Sequence, residues 1–99
     1  MTNFDVCVCF VNGTKNGAHS LSMSISDNGD RLYSYGTVIA QKLQNGAIIL
    51  NDTKYSVTTS KHQNEIRDAI NIYAKTLKIY HTDKNVPRGT YDITRYYTK

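Results

Sequence analysis

Residues 20–26 alternate strictly between serine and large apolar side chains, and this alternation limits the fold more firmly than any other feature of the sequence. The segment reads SLSMSIS, and its apolar members are Leu21, Met23 and Ile25. A strand with this period buries one face and exposes the other, which is typical of an antiparallel sheet. Turn residues flank it, with NGTKNG at 12–17 and DNGD at 27–30. The pattern predicts a strand between two turns.

The segments on either side of this strand also have strand composition. FDVCVCFV, at residues 4–11, is predicted to be a strand that forms a hairpin with residues 18–26. Asn45-Gly46 is the strongest hairpin signal in the chain. A third strand is predicted at 31–43, with a bend or a bulge at Gly36, and further strands at 47–50 and 54–58. The first part of the chain is therefore predicted to be an antiparallel meander of four to five strands.

The hydrophobic period changes to that of a helix after residue 60. Apolar residues recur at helical spacing, at Ile66, Ile70, Tyr73 and Leu77. Ser60 followed by Gln63 is a capping-box pattern, which predicts that a helix of about five turns begins there. The predicted fold class is α+β, an antiparallel β-meander of four to five strands with one amphipathic helix packed on one face.

The length of 99 residues suits one domain, predicted to span residues 1–99. Residues 82–99 are predicted to be either an edge strand or a flexible tail, because Pro87 ends any helix before them. No apolar run approaches the roughly 20 residues of a membrane span, and the first residues lack the charges of a signal peptide. We therefore expect a cytoplasmic chain with no membrane partner.

Sequence motifs of enzymatic chemistry are absent. The chain has no P-loop, no dinucleotide-binding glycine motif, no zinc-protease motif and no paired C-x-x-C. Cys7, Cys9 and His19 come nearest to a metal site, but on the predicted strands the two cysteines face away from the histidine. We therefore expect no cofactor, no metal site and no catalytic residue, and the chain is predicted not to be an enzyme.

The stretch KYSVTTSKHQ, at residues 54–63, concentrates hydroxyls, two lysines and a histidine where a strand is predicted to give way to a helix. One interpretation is a helix cap, in which Lys61 and His62 are simply exposed. The other is an anion site, because hydroxyls, free backbone N–H groups and a lysine at a helix start can hold a phosphate. Its members would be Lys54, Thr59, Ser60, Lys61 and His62.

Positive charge is concentrated in residues 54–99, which hold nine Lys or Arg against four acidic residues. The chain also has eight tyrosines, a residue favoured at binding surfaces. The side chains predicted to contact a protein partner are Tyr33, Tyr35, Arg67, Lys75, Lys78, Arg95, Tyr96 and Tyr97. An alternative is a nucleic-acid-binding accessory protein. It would use Lys54, Lys61, Arg67, Lys75 and Lys78, the last three on one basic helix face.

Two blocks, YSYGTVIA at 33–40 and LNDTKYSVTTSKHQ at 50–63, resemble a family of small uncharacterised proteins from tailed phages. The likeness covers about residues 31–70 and implies no particular activity or binding residue. It implies instead a context in which small phage proteins bind and block host machinery. The expected function is inhibition of a host defence complex, as by an anti-CRISPR protein, through contact with a defence protein or ribonucleoprotein in the host cytoplasm. The unpaired edge strands of such a sheet can pair with a second copy of the chain, so a homodimer is a further alternative.

Overall fold

The computed structural model describes residues 1–98, which form two α-helices and a five-stranded sheet. The elements are α1 (Asn3–Asn12), β1 (Met23–Ile25), β2 (Arg31–Ser34), β3 (Thr37–Lys42), β4 (Ile48–Leu50), α2 (Val57–Tyr73), β5 (Ile79–His81) and a 3-10 helix (Thr94–Tyr96). The strands lie side by side in chain order, and β1 to β4 are antiparallel. The predicted α+β class with an antiparallel meander is confirmed.

The last strand of the sheet runs parallel to its neighbour. β4 and β5 are joined by α2, and Ile49 lies opposite Tyr80 in the parallel register. A parallel pair needs such a crossover, whereas antiparallel neighbours can be joined by short turns. The last two strands and α2 therefore form a β-α-β unit, in which the loops that follow β4 and β5 lie at the same end of the sheet.

The N-terminal segment is a helix, so the predicted strand at residues 4–11 and its hairpin are wrong. Thr2 and Asp5 form a capping box at the start of α1, and Gly13 ends the helix in a left-handed conformation with φ +69°. FDVCVCFV is apolar at odd and even positions alike, and such a short run does not distinguish a strand from a buried helix. Val6 and Phe10, four residues apart, are both buried against the sheet.

The alternating segment forms a shorter strand than its pattern predicts. Met23 and Ile25 are buried, as expected for one face of β1, but the side chain of Leu21 is fully exposed. The chain folds back before β1, because the backbone N–H of Ser20 donates to the carbonyl of Met23 and His19 lies opposite Ser24. This turn covers the outer edge of β1 and carries Leu21 to the surface.

The second helix begins earlier and ends earlier than predicted. Ser56 is its N-cap and accepts a hydrogen bond from the backbone N–H of Thr59, so the predictions of an N-cap at Ser60 and a strand over 54–58 are wrong. The polar residues Thr59, His62 and Gln63 extend the buried face of α2 by a turn. The apolar stripe alone therefore gave no sign of where this helix begins.

The sheet has two apolar faces, each with its own cover. On the first face, α1 and α2 pack against each other and against the strands. On the second face, Val86 and Ile93 of the C-terminal segment pack on Val38 and Ile49 and are completely buried. The segment predicted as an edge strand or a flexible tail thus lies across the sheet up to residue 98, and Lys99 lies outside the described residues.

Within residues 1–98, no helix has both the length and the apolar character that a bilayer crossing requires.

Candidate functional site

The turn between β2 and β3 holds an exposed aromatic residue in a backbone conformation that aromatic residues rarely adopt. Ser34 and Thr37 pair directly, so Tyr35 and Gly36 form a two-residue turn, with φ +53° and +89°. The prediction of one strand over 31–43 with a bend or bulge at Gly36 is therefore wrong. Tight hairpin turns of this kind favour asparagine, aspartate or glycine, because these residues tolerate positive φ. Tyr35 nevertheless occupies the first position with 66% of its surface exposed. Local strain and exposure therefore coincide at this tyrosine.

The ring of Tyr35 lies over a buried histidine of α2. Its centroid is 5.7 Å from that of His62, with the two planes tilted by 34°. His62 is only 2% exposed. The backbone N–H of Tyr35 donates to the carbonyl of Ser22 at 2.9 Å, which ties the turn to the loop ahead of β1. The turn is thus fixed to its neighbours both by its ring and by its backbone.

Both ring nitrogens of His62 are hydrogen-bonded inside the protein. Nε2 lies 3.2 Å from the amide nitrogen of Asn3, which can only donate, so Nε2 is the acceptor. Nδ1 therefore carries the proton and donates to the Ser34 hydroxyl at 2.7 Å. Burial lowers the pKa of His62, which is consistent with a neutral imidazole. The histidine joins α1, β2 and α2 in one polar junction.

The side chain of Asn3 connects this junction to the loop before β1. Its carbonyl oxygen accepts hydrogen bonds from the hydroxyls of Ser20 and Ser22. Every polar atom buried at the junction has a partner, since residues 1–98 contain no buried side-chain nitrogen or oxygen without one. Such a fully bonded network holds its members in one arrangement.

Ser34, His62 and Asn3 have the composition of a hydrolase triad but the opposite arrangement of donors and acceptors. In a triad the serine hydroxyl donates a hydrogen bond to the histidine, and the other N–H of the histidine donates one to the third group. Here the histidine donates to Ser34, and Ser34 is 1% exposed. This arrangement leaves the serine hydroxyl neither activated nor accessible. The junction instead supports the Tyr35 ring, which lies over His62.

Two exposed apolar side chains lie in the segments that are hydrogen-bonded to the Tyr35 turn and to His62. Met1 is 54% exposed and Leu21 is completely exposed, and the two line one depression with His19 and Ser20. Leu21 precedes Ser22, the residue that accepts the hydrogen bond from Tyr35. We call Met1, Leu21 and Tyr35, together with the Asn3–His62 junction beneath them, the Tyr35 surface.

The five residues predicted to bind an anion are not brought to one surface. Lys54 and Lys61 are exposed, Ser60 is half-buried, and Thr59 and His62 are buried. His62 instead supports the Tyr35 ring, so the expectation that it is exposed in the first helical turn is wrong. No cluster of three or more His, Cys, Asp or Glu side chains that could hold a metal ion occurs within residues 1–98.

The residues predicted to bind a partner are spread over several faces. Tyr33, Tyr96 and Tyr97 are half-buried against the second apolar face of the sheet. Lys75 and Lys78 lie beyond the end of α2, so the predicted basic helix face of Arg67, Lys75 and Lys78 does not exist. Arg67 donates to the carboxylate of Asp52, and Arg95 is exposed in the 3-10 helix. Of the eight, only Tyr35 belongs to the Tyr35 surface.

Sequence reasoning missed the other members of this surface. Met1 and Leu21 were not candidates, because Leu21 was assigned to the buried side of a strand. Two features of the sequence indicate how this surface forms. The capping box of Thr2 and Asp5 indicates the start of α1, and Tyr35-Gly36 lies between two segments that form strands. Glycine after an aromatic residue at such a position indicates a two-residue turn.

Residues 10–85 match DUF8033, a family of unknown function, and the match spans more than half of the chain. The chain therefore belongs to DUF8033. No curated protein and no solved structure matches it significantly.

Proposed function

We propose that this member of DUF8033 is a small non-catalytic binding protein that inhibits a host defence complex, a CRISPR nuclease or a restriction system, by direct contact through the Tyr35 surface. The observation that carries the proposal is the positive φ of Tyr35 at an exposed turn. An asparagine would adopt this backbone conformation with less strain. Strained residues that persist at exposed positions concentrate at functional sites.

The chemistry of the Tyr35 surface suits a protein partner. Tyrosine is among the residues that most often dominate the affinity of protein interfaces. Its ring is already held by His62, and its backbone by Ser22, so little conformational entropy would be lost on binding. Met1 and Leu21 would add apolar contact beside it. These side chains supply an aromatic anchor and an apolar surround.

The proposed target class rests on the resemblance of residues 31–70 to tailed-phage proteins and on the charge of the chain. The formal net charge is +4, which favours an acidic or mixed protein surface, or a guide–nuclease complex, over imitation of DNA. The alternative of a nucleic-acid-binding accessory protein has less support. The basic helix face on which it rests does not form, because Lys75 and Lys78 lie beyond the end of α2.

The experiment is an affinity pull-down with tagged protein from a nuclease-treated bacterial lysate that contains a defence complex, at low and at high salt. Apolar contact through Tyr35 predicts that the defence protein is retained at high salt, because such contacts are not screened. Y35N should lose it, whereas Y73N, which removes another half-exposed tyrosine, should retain it. Recovery of nucleic acid alone, at low salt and without nuclease, would contradict the proposal and favour the alternative.

A further inference from the structure

A cavity of about 220 Å³ lies between α2 and the edge strand β5. It shares no residue with the Tyr35 surface. Its lining residues are Leu50, Arg67, Ile70, Asn71, Ile79 and His81. The aliphatic side chains come from three elements and form an apolar floor, while the arginine, the histidine and the amide lie at the rim. Ligand sites are commonly built in this way, mainly apolar with a few converging polar groups.

The two basic side chains at the rim are held in place by one carboxylate. Asp52 Oδ1 accepts from Arg67 Nη2 at 2.7 Å, and Asp52 Oδ2 lies 2.7 Å from His81 Nδ1. Asp52 itself is fixed by a hydrogen bond from its backbone N–H to the Thr82 hydroxyl at 2.9 Å. The loops that follow β4 and β5 thus meet here, and they orient both basic groups.

Donor capacity remains at the rim after these bonds are made. A guanidinium has five N–H groups. Within residues 1–98, Arg67 uses one toward Asp52 and one toward Asn64. The donors at the rim that remain for an incoming group are therefore the unused N–H groups of Arg67.

We propose that this cavity binds a small apolar carboxylic acid, with its hydrocarbon part on Leu50, Ile70 and Ile79 and its carboxylate on Arg67. The guanidinium fork matches a carboxylate in geometry as well as charge. A cationic ligand would meet Arg67 at the rim, and a purely polar anion such as phosphate would leave the apolar floor uncovered. The volume is below the range of drug-sized ligands, so the ligand is a small one.

Three probes with the same carbon skeleton test this proposal: 3-phenylpropanoate, 3-phenylpropan-1-ol and 3-phenylpropylamine. Each is titrated into isotope-labelled protein, and binding is followed by amide resonances in NMR spectra. The propanoate should bind in the millimolar range and shift the resonances of the cavity residues. It should bind about tenfold more tightly than the alcohol, because the alcohol has no negative charge and cannot pair with Arg67 through two oxygens. The amine should bind most weakly.

Two variants assign the effect to this site. R67Q should reduce the preference for the propanoate over the alcohol to less than about twofold while leaving the alcohol unaffected. N71W should fill the cavity and abolish binding of all three probes, whereas I72W, with the same new side chain at the next and exposed position, should retain it. Equal binding of the propanoate and the alcohol, an unchanged preference in R67Q, or the absence of shifts at the cavity residues would overturn the proposal.

Discussion

The ring of Tyr35 covers the imidazole of His62, with their centroids 5.7 Å apart, and this contact connects the strained turn to the buried polar junction. The histidine beneath is bonded at both nitrogens and neutral, so the exposed tyrosine has a rigid support. Because a rigid aromatic side chain loses little entropy on binding, the contact accounts for how a chain of this size could present an interaction surface.

The buried imidazole should make folding sensitive to mild acid. Burial lowers the pKa of His62 below its ordinary value of 6.5, while in the unfolded chain the group titrates near that value. The stabilising contribution is therefore present above pH 6.5 and is lost as the pH falls through the lower pKa of the folded state. Urea unfolding at several pH values should show a free energy of unfolding that falls by no more than about 1.4 kcal/mol per pH unit from this group.

The variant H62Q is the control for this acid sensitivity. Glutamine can accept from Asn3 and donate to Ser34 without titrating. Its free energy of unfolding should vary less than that of the wild type just below pH 6.5. Identical pH profiles for the two proteins would show that His62 is not the group responsible.

Two apolar residues of the alternating segment should respond very differently to substitution. Leu21 is fully exposed, so L21S should change the free energy of unfolding by no more than about 0.5 kcal/mol. Met23 is 2% exposed in the main core, so M23A should lower it by about 2–5 kcal/mol. Chemical denaturation measures both. Similar decreases in the free energy of unfolding for the two variants would contradict the exposed position of Leu21 and support the longer strand that the alternation predicts.

The capping box of α1 offers a direct test of the corrected N-terminus. Thr2 accepts a hydrogen bond from the backbone N–H of Asp5, and the carboxylate of Asp5 accepts one from the backbone N–H of Thr2. The hydrogen bond from the backbone N–H of Thr2 lowers the pKa of the Asp5 carboxyl group. T2A should reduce the free energy of unfolding by about 1 kcal/mol, whereas T2S should retain most of it. An unchanged free energy of unfolding in T2A would mean that the hydrogen bond made by the Thr2 side chain does not stabilise the protein.

The two cysteines should differ in their reaction with thiol reagents. Cys7 is completely buried, and burial raises the pKa of its thiol to about 12, so the reactive thiolate is scarce. Cys9 is only partly buried. A chromogenic disulfide reagent should modify Cys9 in the native protein and Cys7 only after unfolding. C9S should therefore show almost no native labelling, and rapid labelling of C9S would place Cys7 at the surface.

The parts of the fold that were predictable are those that local pattern decides. Asn45-Gly46 marks the turn between β3 and β4, and the stripe from Ile66 to Ile70 marks α2. The helix α1 was mistaken for a strand because both faces of residues 4–11 are apolar, so that only its capping box distinguishes it. The parallel strand β5 has three residues and depends on α2 as a crossover, which no local pattern reveals.

The Tyr35 surface was only partly predictable. Tyr35 was a candidate because exposed tyrosines favour interfaces, and His62 because it lies in KYSVTTSKHQ, but they were assigned to different sites. Their contact joins positions 27 residues apart, and Met1 and Leu21 reach the same surface from elsewhere in the chain. The spacing of residues in the sequence does not indicate which of them come together on the surface. The arrangement of this surface depends on the packing of α1 against α2, and the predicted fold has no α1.

The proposed contact between Tyr35 and a defence complex is tested most directly by the plating efficiency of a sensitive phage on bacteria that carry one active CRISPR or restriction system. Expression of the wild-type protein and of Y73N should raise plating on at least one such strain. Y35N should not, because loss of an anchor worth about 2 kcal/mol lowers affinity roughly 30-fold. Asparagine tolerates the positive φ, so Y35N should remain folded. No gain with wild type on any strain, or an equal gain with Y35N, would contradict the account.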